Sequence, residues 1–244
     1  MTAKTILHAT TPEALAVGLA ELDIAVPRRS EGRSKHHAER YCIAHLLATL
    51  PVSELSFPLV LVHGDKPDFM MTMPLGVVGI EHSEAVPENV AHADFLREKE
   101  DIGPEAYFTP HAQPGEPRKT AVELRREIVA DEPGGAWIGD SPEREWAAAM
   151  AYCIKEKLPK AVAADFSRHA GNWLLIYDNW PLPHIDHAKA ASFLSPILVE
   201  METFGVFDRV FVHDDSRMCE FREASSPIIH ALIRPRVASR GNLV

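Results

Sequence analysis

Cysteine is scarce in this sequence. The 244 residues include three cysteines, Cys42, Cys153 and Cys219. They are far apart, form no Cys-x-x-Cys pair and are odd in number, which argues against a disulfide framework and against a zinc site built from cysteines. Such cysteine usage is typical of a reducing compartment, so we expect a cytoplasmic protein.

Long apolar runs are also missing. No run approaches the roughly 20 residues that span a bilayer. The opening residues, MTAKTILHATTPE, lack the apolar core of a signal peptide. We therefore expect no association with a membrane. Glycine and proline recur without a period and 46% of the residues are hydrophobic, which excludes collagen, a coiled coil and a disordered chain.

Basic residues are outnumbered by acidic ones. The chain carries 25 Lys and Arg against 35 Asp and Glu, a formal net charge of -10, and it has 13 histidines. This balance argues against a protein that coats nucleic acid by charge alone. It is compatible with an enzyme that holds a divalent cation between carboxylates.

The order of the predicted elements is helix, three-stranded meander, helices, strand, helix, strand. Periodicity and capping signals predict helices at residues 11–22, 34–50, 87–100, 119–130, 140–158 and 187–204. Short β-rich runs predict strands at residues 58–63, 68–73, 76–83, 172–177 and 209–213, with an edge strand at 218–222. We expect one α/β domain over residues 1–244, with a mixed sheet of four to five strands flanked by helices. The Pro/Gly-rich insertion at residues 103–135 is interpreted as a substrate lid, a dimer arm or a tolerated insertion.

Two acidic residues flank a predicted hairpin. Asp68 opens one strand, Glu81 lies in the next, and the turn is predicted at residues 74–76. Folding about that turn brings Asp68 opposite residue 81 or 82. Directly opposed residues on antiparallel strands have Cβ atoms about 4.5–5.5 Å apart. Carboxylates that close repel unless a proton or a cation lies between them, and Mg²⁺ is the hard cation that suits them. Glu39 is a third carboxylate, on the helix that precedes the meander, and we expect it to point toward the same place.

This ordered set resembles the PD-(D/E)XK, restriction-endonuclease-like nuclease superfamily. The matching pieces are Glu39, Pro67-Asp68-Phe69 and Gly79-Ile80-Glu81-His82-Ser83, in residues 34 to 85, with a looser continuation to the strand at Leu174. The resemblance looks closest to uncharacterised bacterial members. It implies a restriction-endonuclease-like fold, Mg²⁺-dependent (or Mn²⁺-dependent) phosphodiester hydrolysis, and nucleic acid as the partner, with DNA ahead of RNA.

The resemblance also implies roles for individual residues. Asp68, Glu81 and a carbonyl near His82 would hold the metal, which would acidify a water and polarise the phosphate. Glu39 would bind a second metal or orient the water. Ser83 replaces the lysine of the family's Glu-x-Lys, so a lysine from the later helix must stabilise the developing charge. Lys157 is the first choice, because it shares a helical stripe with Trp146 and Met150, and Lys155 is the second.

Basic residues near these pieces are candidate phosphate contacts. They form two groups, Arg28, Arg29, Arg33 and Lys35 in one, and Arg118, Lys119, Arg125 and Arg126 in the other.

Several alternatives stay open. The chain is either an active nuclease or a catalytically inactive, nuclease-fold binding protein, and it is either a monomer or a homodimer. A zinc hydrolase would draw on His36 and Glu39, or on the His184-Ile185-Asp186-His187 run, but HExxH and HxHxDH are absent from the sequence. GxSxG, GxxxxGK[ST] and GxGxxG are absent as well, so neither a serine hydrolase nor a P-loop or Rossmann nucleotide site is indicated.

Overall fold

The computed structural model describes residues 3–163 and 166–235. Within these ranges one mixed sheet contains eight strands in sequence order. The strands are β1 Lys4–Ala9, β2 Leu59–His63, β3 Phe69–Met73, β4 Gly76–Ala85, β5 Gly171–Asp178, β6 Arg209–His213, β7 Arg217–Arg222 and β8 Ile228–Ala231. The α-helices of these ranges are α1 Pro12–Glu21, α2 Lys35–Thr49, α3 Glu88–Glu100, α4 Ala121–Ala130, α5 Ser141–Ala161 and α6 His187–Glu200.

Helix starts follow local capping chemistry. The Thr11 side chain accepts a hydrogen bond from the Ala14 N–H at 3.2 Å, and Pro12 occupies the first turn of α1, where a missing N–H costs nothing. At α2 the Ser34 N–H donates to Nδ1 of His37 at 3.0 Å. This cap fixes the first turn of α2, which carries His36 and Glu39 three residues apart on one face of the helix.

Helices cover both faces of the sheet, so the fold has three layers. On one face, α1 and α2 contribute Leu15, Leu19 and Ile43 to a core that also contains Ile80 of β4. On the other face, α5 and α6 form a second core that includes Trp146. Successive strand residues point to opposite faces, so neighbouring positions of one strand serve different cores.

The central strands determine where the candidate site lies. Strands β2, β3 and β4 form an antiparallel meander, and β4, β5 and β6 are parallel. His63 pairs with Phe69, and Phe69 pairs with Ile80. The end of β2, the start of β3 and the second half of β4 therefore meet at one edge of the sheet.

The expected four to five strands are too few. Strand β1 pairs with β2 and strand β8 pairs with β7, and the sequence reading assigned neither of them. The strand expected at the edge, residues 218–222, is therefore internal. Outer strands are short and acquire their structure by pairing with distant parts of the chain, so local periodicity is a weak signal for them.

The insertion at residues 103–135 carries helix α4, as its sequence predicts, with Thr120 and Glu123 forming a capping box. Leu124 and Ile128 of α4 pack with Leu96 of α3 in a small core of their own. Across the described ranges, none of the helices combines the length and the apolar character needed to cross a membrane.

Candidate functional site

Asp68 and Glu81, called here the acidic pair, lie side by side on the meander. Asp68 directly precedes Phe69, whose partner on β4 is Ile80. The Oδ2 atom of Asp68 accepts a hydrogen bond from the backbone N–H of His82 at 2.8 Å, and Asp68 is only 5% exposed. Asp68 therefore lies opposite residue 81, the first of the two positions that the predicted turn allows.

Lys157 of α5 reaches the acidic pair. Its Nζ donates to Oε1 of Glu81 at 2.9 Å and to the carbonyl oxygen of His82 at 2.6 Å. The helical stripe that predicts this placement is present, because Trp146 and Met150 are fully buried against the sheet. Lys155, the second choice, is exposed, because it lies on a different face of α5 from Lys157.

The acidic pair is electrostatically unsatisfied. Burial, followed by the charge on Glu81, raises the pKa of Asp68 to about 7, although the His82 N–H and Lys157 act in the opposite direction. Oε2 of Glu81 is buried and has no hydrogen-bond partner among the described residues. Two such carboxylates repel each other. The Lys157 ammonium on Glu81 and the more exposed Lys35 ammonium, 3.7 Å from Oδ1 of Asp68, still leave the pKa of Asp68 raised.

Glu39 lies close to the acidic pair but has its own partners. Its Oε2 is 2.8 Å from Nδ1 of His36 and 2.7 Å from Nε2 of His63. The ligand atoms of these three side chains all lie within 4.8 Å of one another, and we call them the His–Glu–His cluster. Burial acts to raise the pKa of Glu39, but hydrogen bonds from both histidines and the charge of Lys35 outweigh it and lower the pKa to about 2.

The cluster and the acidic pair lie on opposite faces of the sheet. Glu81 faces α5, since it contacts Lys157. His63 faces α2, since it contacts Glu39 and stacks on Phe69 with ring centroids 4.6 Å apart. Lys35 links the two groups, with its Nζ 3.7 Å from Oε1 of Glu39 and 3.7 Å from Oδ1 of Asp68.

The two groups border one cavity of ≈ 500 Å³. It is lined by side chains from α2, the loop before β3, β4 and α5, among them Lys35, Glu39, Asp68, Glu81, His82 and Lys157. The four residues predicted to take part in Mg²⁺ binding, and Lys157 with them, therefore border a single space that a hydrated cation and a phosphate group could enter.

Gly79 lets the loop before β3 lie against β4. A Cβ atom at this position would come within 2.7 Å of His169 and 3.1 Å of Pro67. Glycine thus lets His169 and Pro67, the residue before Asp68, approach β4 closely.

The basic residues expected to contact phosphate are mostly paired within the protein. Arg29 and Arg33 bind Oε1 of Glu84 at 3.0 and 2.7 Å. Lys119 and Arg125 of the insertion pair with Glu127 and Glu100 at 2.8 and 2.6 Å. Lys35 is the basic residue of these groups that lines the cavity, with 58% of its side chain exposed.

The 184–187 run has a structural role. The Asp186 side chain caps α6 by accepting from the N–H groups of Ala188 and Lys189 at 2.9 and 3.1 Å. Nε2 of His187 lies 3.0 Å from Oδ2 of Asp214. Asp186 therefore forms the start of a helix, which was the alternative to a zinc site for this run.

His63 is the site residue that sequence reasoning missed. It ends a buried strand, and nothing local distinguishes it from the other histidines. The available signal is its pairing with Phe69, which puts it at the same sheet edge as Asp68.

Comparisons with protein-family models, with curated proteins and with solved structures find no match to this chain.

Proposed function

We propose that this protein is a metal-dependent phosphodiester hydrolase of the PD-(D/E)XK type that acts on nucleic acid. The observation that carries the proposal is the contact of the Lys157 ammonium with Glu81 at 2.9 Å and with the His82 carbonyl at 2.6 Å. The sequence lacks a lysine at Ser83, and Lys157 supplies an ammonium to the same carboxylate from α5.

The order of elements supports a restriction-endonuclease-like fold. Helix α2 is followed by the antiparallel meander β2–β3–β4, then by α5, and then by β5, which runs parallel to β4. The resemblance implies this order of a helix bearing Glu39, a meander with the acidic pair, and a later helix that supplies a lysine.

The donors at the acidic pair fit Mg²⁺ or Mn²⁺. They are oxygens, as hard cations prefer, and include the buried Oε2 of Glu81, which has no partner among the described residues. Asp68, Glu81 and the His82 carbonyl would hold the ion. When bound, it would supply Lewis-acid polarisation of the phosphate and acidification of a water.

The protein's own groups perform the remaining work. The Lys157 ammonium lies where it can stabilise negative charge that develops on a phosphate, a contribution of about 10²–10³ in rate for a single such donor. Lys35, largely exposed beside Asp68, attracts the substrate phosphate. Glu39 orients Lys35 from the opposite face, through the 3.7 Å contact. The net charge of -10 implies weak, salt-sensitive binding to nucleic acid.

A second candidate function is an inactive, nuclease-fold binding protein. It is favoured by the same contact, because the ammonium of Lys157 already occupies an oxygen of Glu81 and the His82 carbonyl. In that case the lysine replaces the cation permanently, and the acidic pair serves stability alone.

Cleavage assays test the proposal. Single- and double-stranded DNA and RNA are incubated with Mg²⁺ or Mn²⁺ and the wild type, Asp68→Ala, Lys157→Gln or Lys155→Gln. We expect metal-dependent cleavage that Asp68→Ala abolishes, Lys157→Gln lowers by about 10²–10³ and the exposed control Lys155→Gln leaves unchanged.

Thermal melting with and without metal separates the other outcomes. A metal-induced shift that Asp68→Ala removes, without cleavage of any substrate, favours the inactive binding protein. If no substrate is cleaved and the metal does not shift the melting temperature, the metal site is overturned altogether.

A further inference from the structure

The His–Glu–His cluster has the composition of a second metal site. We propose that His36, Glu39 and His63 bind one first-row transition-metal ion, for which Zn²⁺ is the natural probe. This inference goes beyond the proposed function, because the ion can bind whether or not the acidic pair supports cleavage.

The donor set separates the two sites chemically. Two imidazoles and one carboxylate suit Zn²⁺, Fe²⁺, Ni²⁺ or Cu²⁺, whereas the oxygen donors of the acidic pair suit Mg²⁺ or Mn²⁺. Three protein ligands that include two histidines and a glutamate, with a further position open, also form a known type of zinc site. The cluster borders the cavity through Glu39, which provides that open side.

Rigid elements hold the three ligands. His36 and Glu39 lie three residues apart on α2, which brings their side chains onto one face of the helix. His63 ends β2, is 6% exposed and stacks on Phe69. The rings of His36 and His63 meet edge to face with centroids 5.1 Å apart. The three ligands are therefore preorganised, and metal binding costs little additional ordering of their side chains.

Metal binding requires a small adjustment. Ligand atoms around a tetrahedral Zn²⁺ are about 3.4 Å apart, given Zn–N distances of about 2.0–2.1 Å. The contacts of 2.7 and 2.8 Å to Glu39 must therefore open by about 0.6 Å. Glu39 is ionised at neutral pH and only accepts hydrogen bonds, so both facing ring nitrogens carry protons, which must move to the other ring nitrogens when the ion binds.

An independent observation also points to a ligand here. His82 is 7% exposed, and its Nε2 is buried without a hydrogen-bond partner among the described residues. Its side chain shares the α2 face with Ile80, two residues earlier on β4. His82 and Glu39 both line the cavity. The unpartnered His82 nitrogen is therefore a further donor on the cavity that Glu39 borders.

Zn²⁺ binding to the full, metal-free chain tests the proposal without any substrate. Calorimetry should give one Zn²⁺ per chain, and X-ray absorption at the zinc edge should show at least two imidazole ligands. His36→Ala and His63→Gln should each weaken binding by more than about 100-fold, since losing a direct ligand costs more than losing an outer-shell partner. The exposed His8→Ala and the acidic-pair variant Asp68→Asn are the matched controls and should keep binding.

Each alternative result is decisive. No Zn²⁺ binding, or binding that survives both histidine substitutions, would overturn the site, as would an absorption spectrum with fewer than two imidazoles. Loss in Asp68→Asn with retention in His36→Ala would place the ion at the acidic pair and overturn it too. If His63→Gln fails to fold by circular dichroism, His36→Ala decides, because that side chain is 27% exposed. Absence of nucleic-acid cleavage affects only the proposed function.

Discussion

Replacing Asp68 with asparagine should stabilise the metal-free protein above neutral pH, although it removes a metal ligand. Asp68 is 5% exposed, and burial together with the charge on Glu81 raises its pKa from 3.8 to about 7. Asparagine carries no charge, and its side-chain oxygen can still accept the His82 N–H. The variant therefore removes the electrostatic cost and keeps the hydrogen bond.

The magnitude follows from proton uptake on folding. The unfolded chain releases the Asp68 proton near pH 3.8, whereas the folded protein keeps it to about pH 7. Folding takes up a proton between these values, so the free energy of unfolding falls as the pH rises through this window. The difference, 7 − 3.8 = 3.2, corresponds to at most about 4 kcal/mol, at about 1.4 kcal/mol per pKa unit. Relaxation and water in the open cavity reduce this, so we expect about 1–3 kcal/mol.

Urea unfolding in EDTA at about pH 5 and about pH 8.5 measures the effect. The stability gained by Asp68→Asn should be larger at the higher pH. Asp65→Asn is the matched control, because Asp65 is in the same loop, lies 3.6 Å from Lys35 and has 57% of its side chain exposed. It should change stability by less than about 0.5 kcal/mol at either pH. An equal gain at both pH values, or a less stable Asp68→Asn at high pH, would refute the electrostatic reasoning.

Three further substitutions and one addition test the structure. Gly79→Ala should destabilise the protein by about 1–3 kcal/mol in thermal melts, because the new Cβ overlaps its neighbours, while Gly135→Ala, which meets no atom within 4 Å, should be nearly neutral. Glu220→Ala should cost about 2–4 kcal/mol in urea unfolding, because Glu220 is 1% exposed and pairs with two arginines and a histidine; the exposed Glu223→Ala should not. Leu61→Ala, in the core under α2, should cost about 2–5 kcal/mol. Mg²⁺ should raise the melting temperature of the wild type but not of Asp68→Asn. Equal stability of Gly79→Ala and Gly135→Ala, or of Glu220→Ala and Glu223→Ala, would contradict the structural reason given for that pair. A full Mg²⁺-induced shift in Asp68→Asn would contradict the role of Asp68 in metal binding.

The acidic pair could be predicted from the sequence because its geometry is local. A short turn after Met73 joins β3 to β4, and the register of such a hairpin determines which residues face each other. Lys157 could be predicted almost as well, because a helix with a buried stripe has only one face toward the sheet. The first inference rests on the turn of a hairpin and the second on helical periodicity, and neither requires knowledge of distant parts of the chain.

The outer strands and the His–Glu–His cluster required the tertiary structure. β1 pairs with β2 across the 49 residues that separate Ala9 from Leu59, and His63 meets Glu39 only because α2 packs across the end of β2. Sequence by itself determined the alternating helices and strands, the opposition of Asp68 to Glu81 and the face of α5 that carries Lys157, since these depend on local periodicity. Only the tertiary structure decided which faces share a cavity, how many strands close the sheet and which histidines surround Glu39, since packing between distant segments has no local signature.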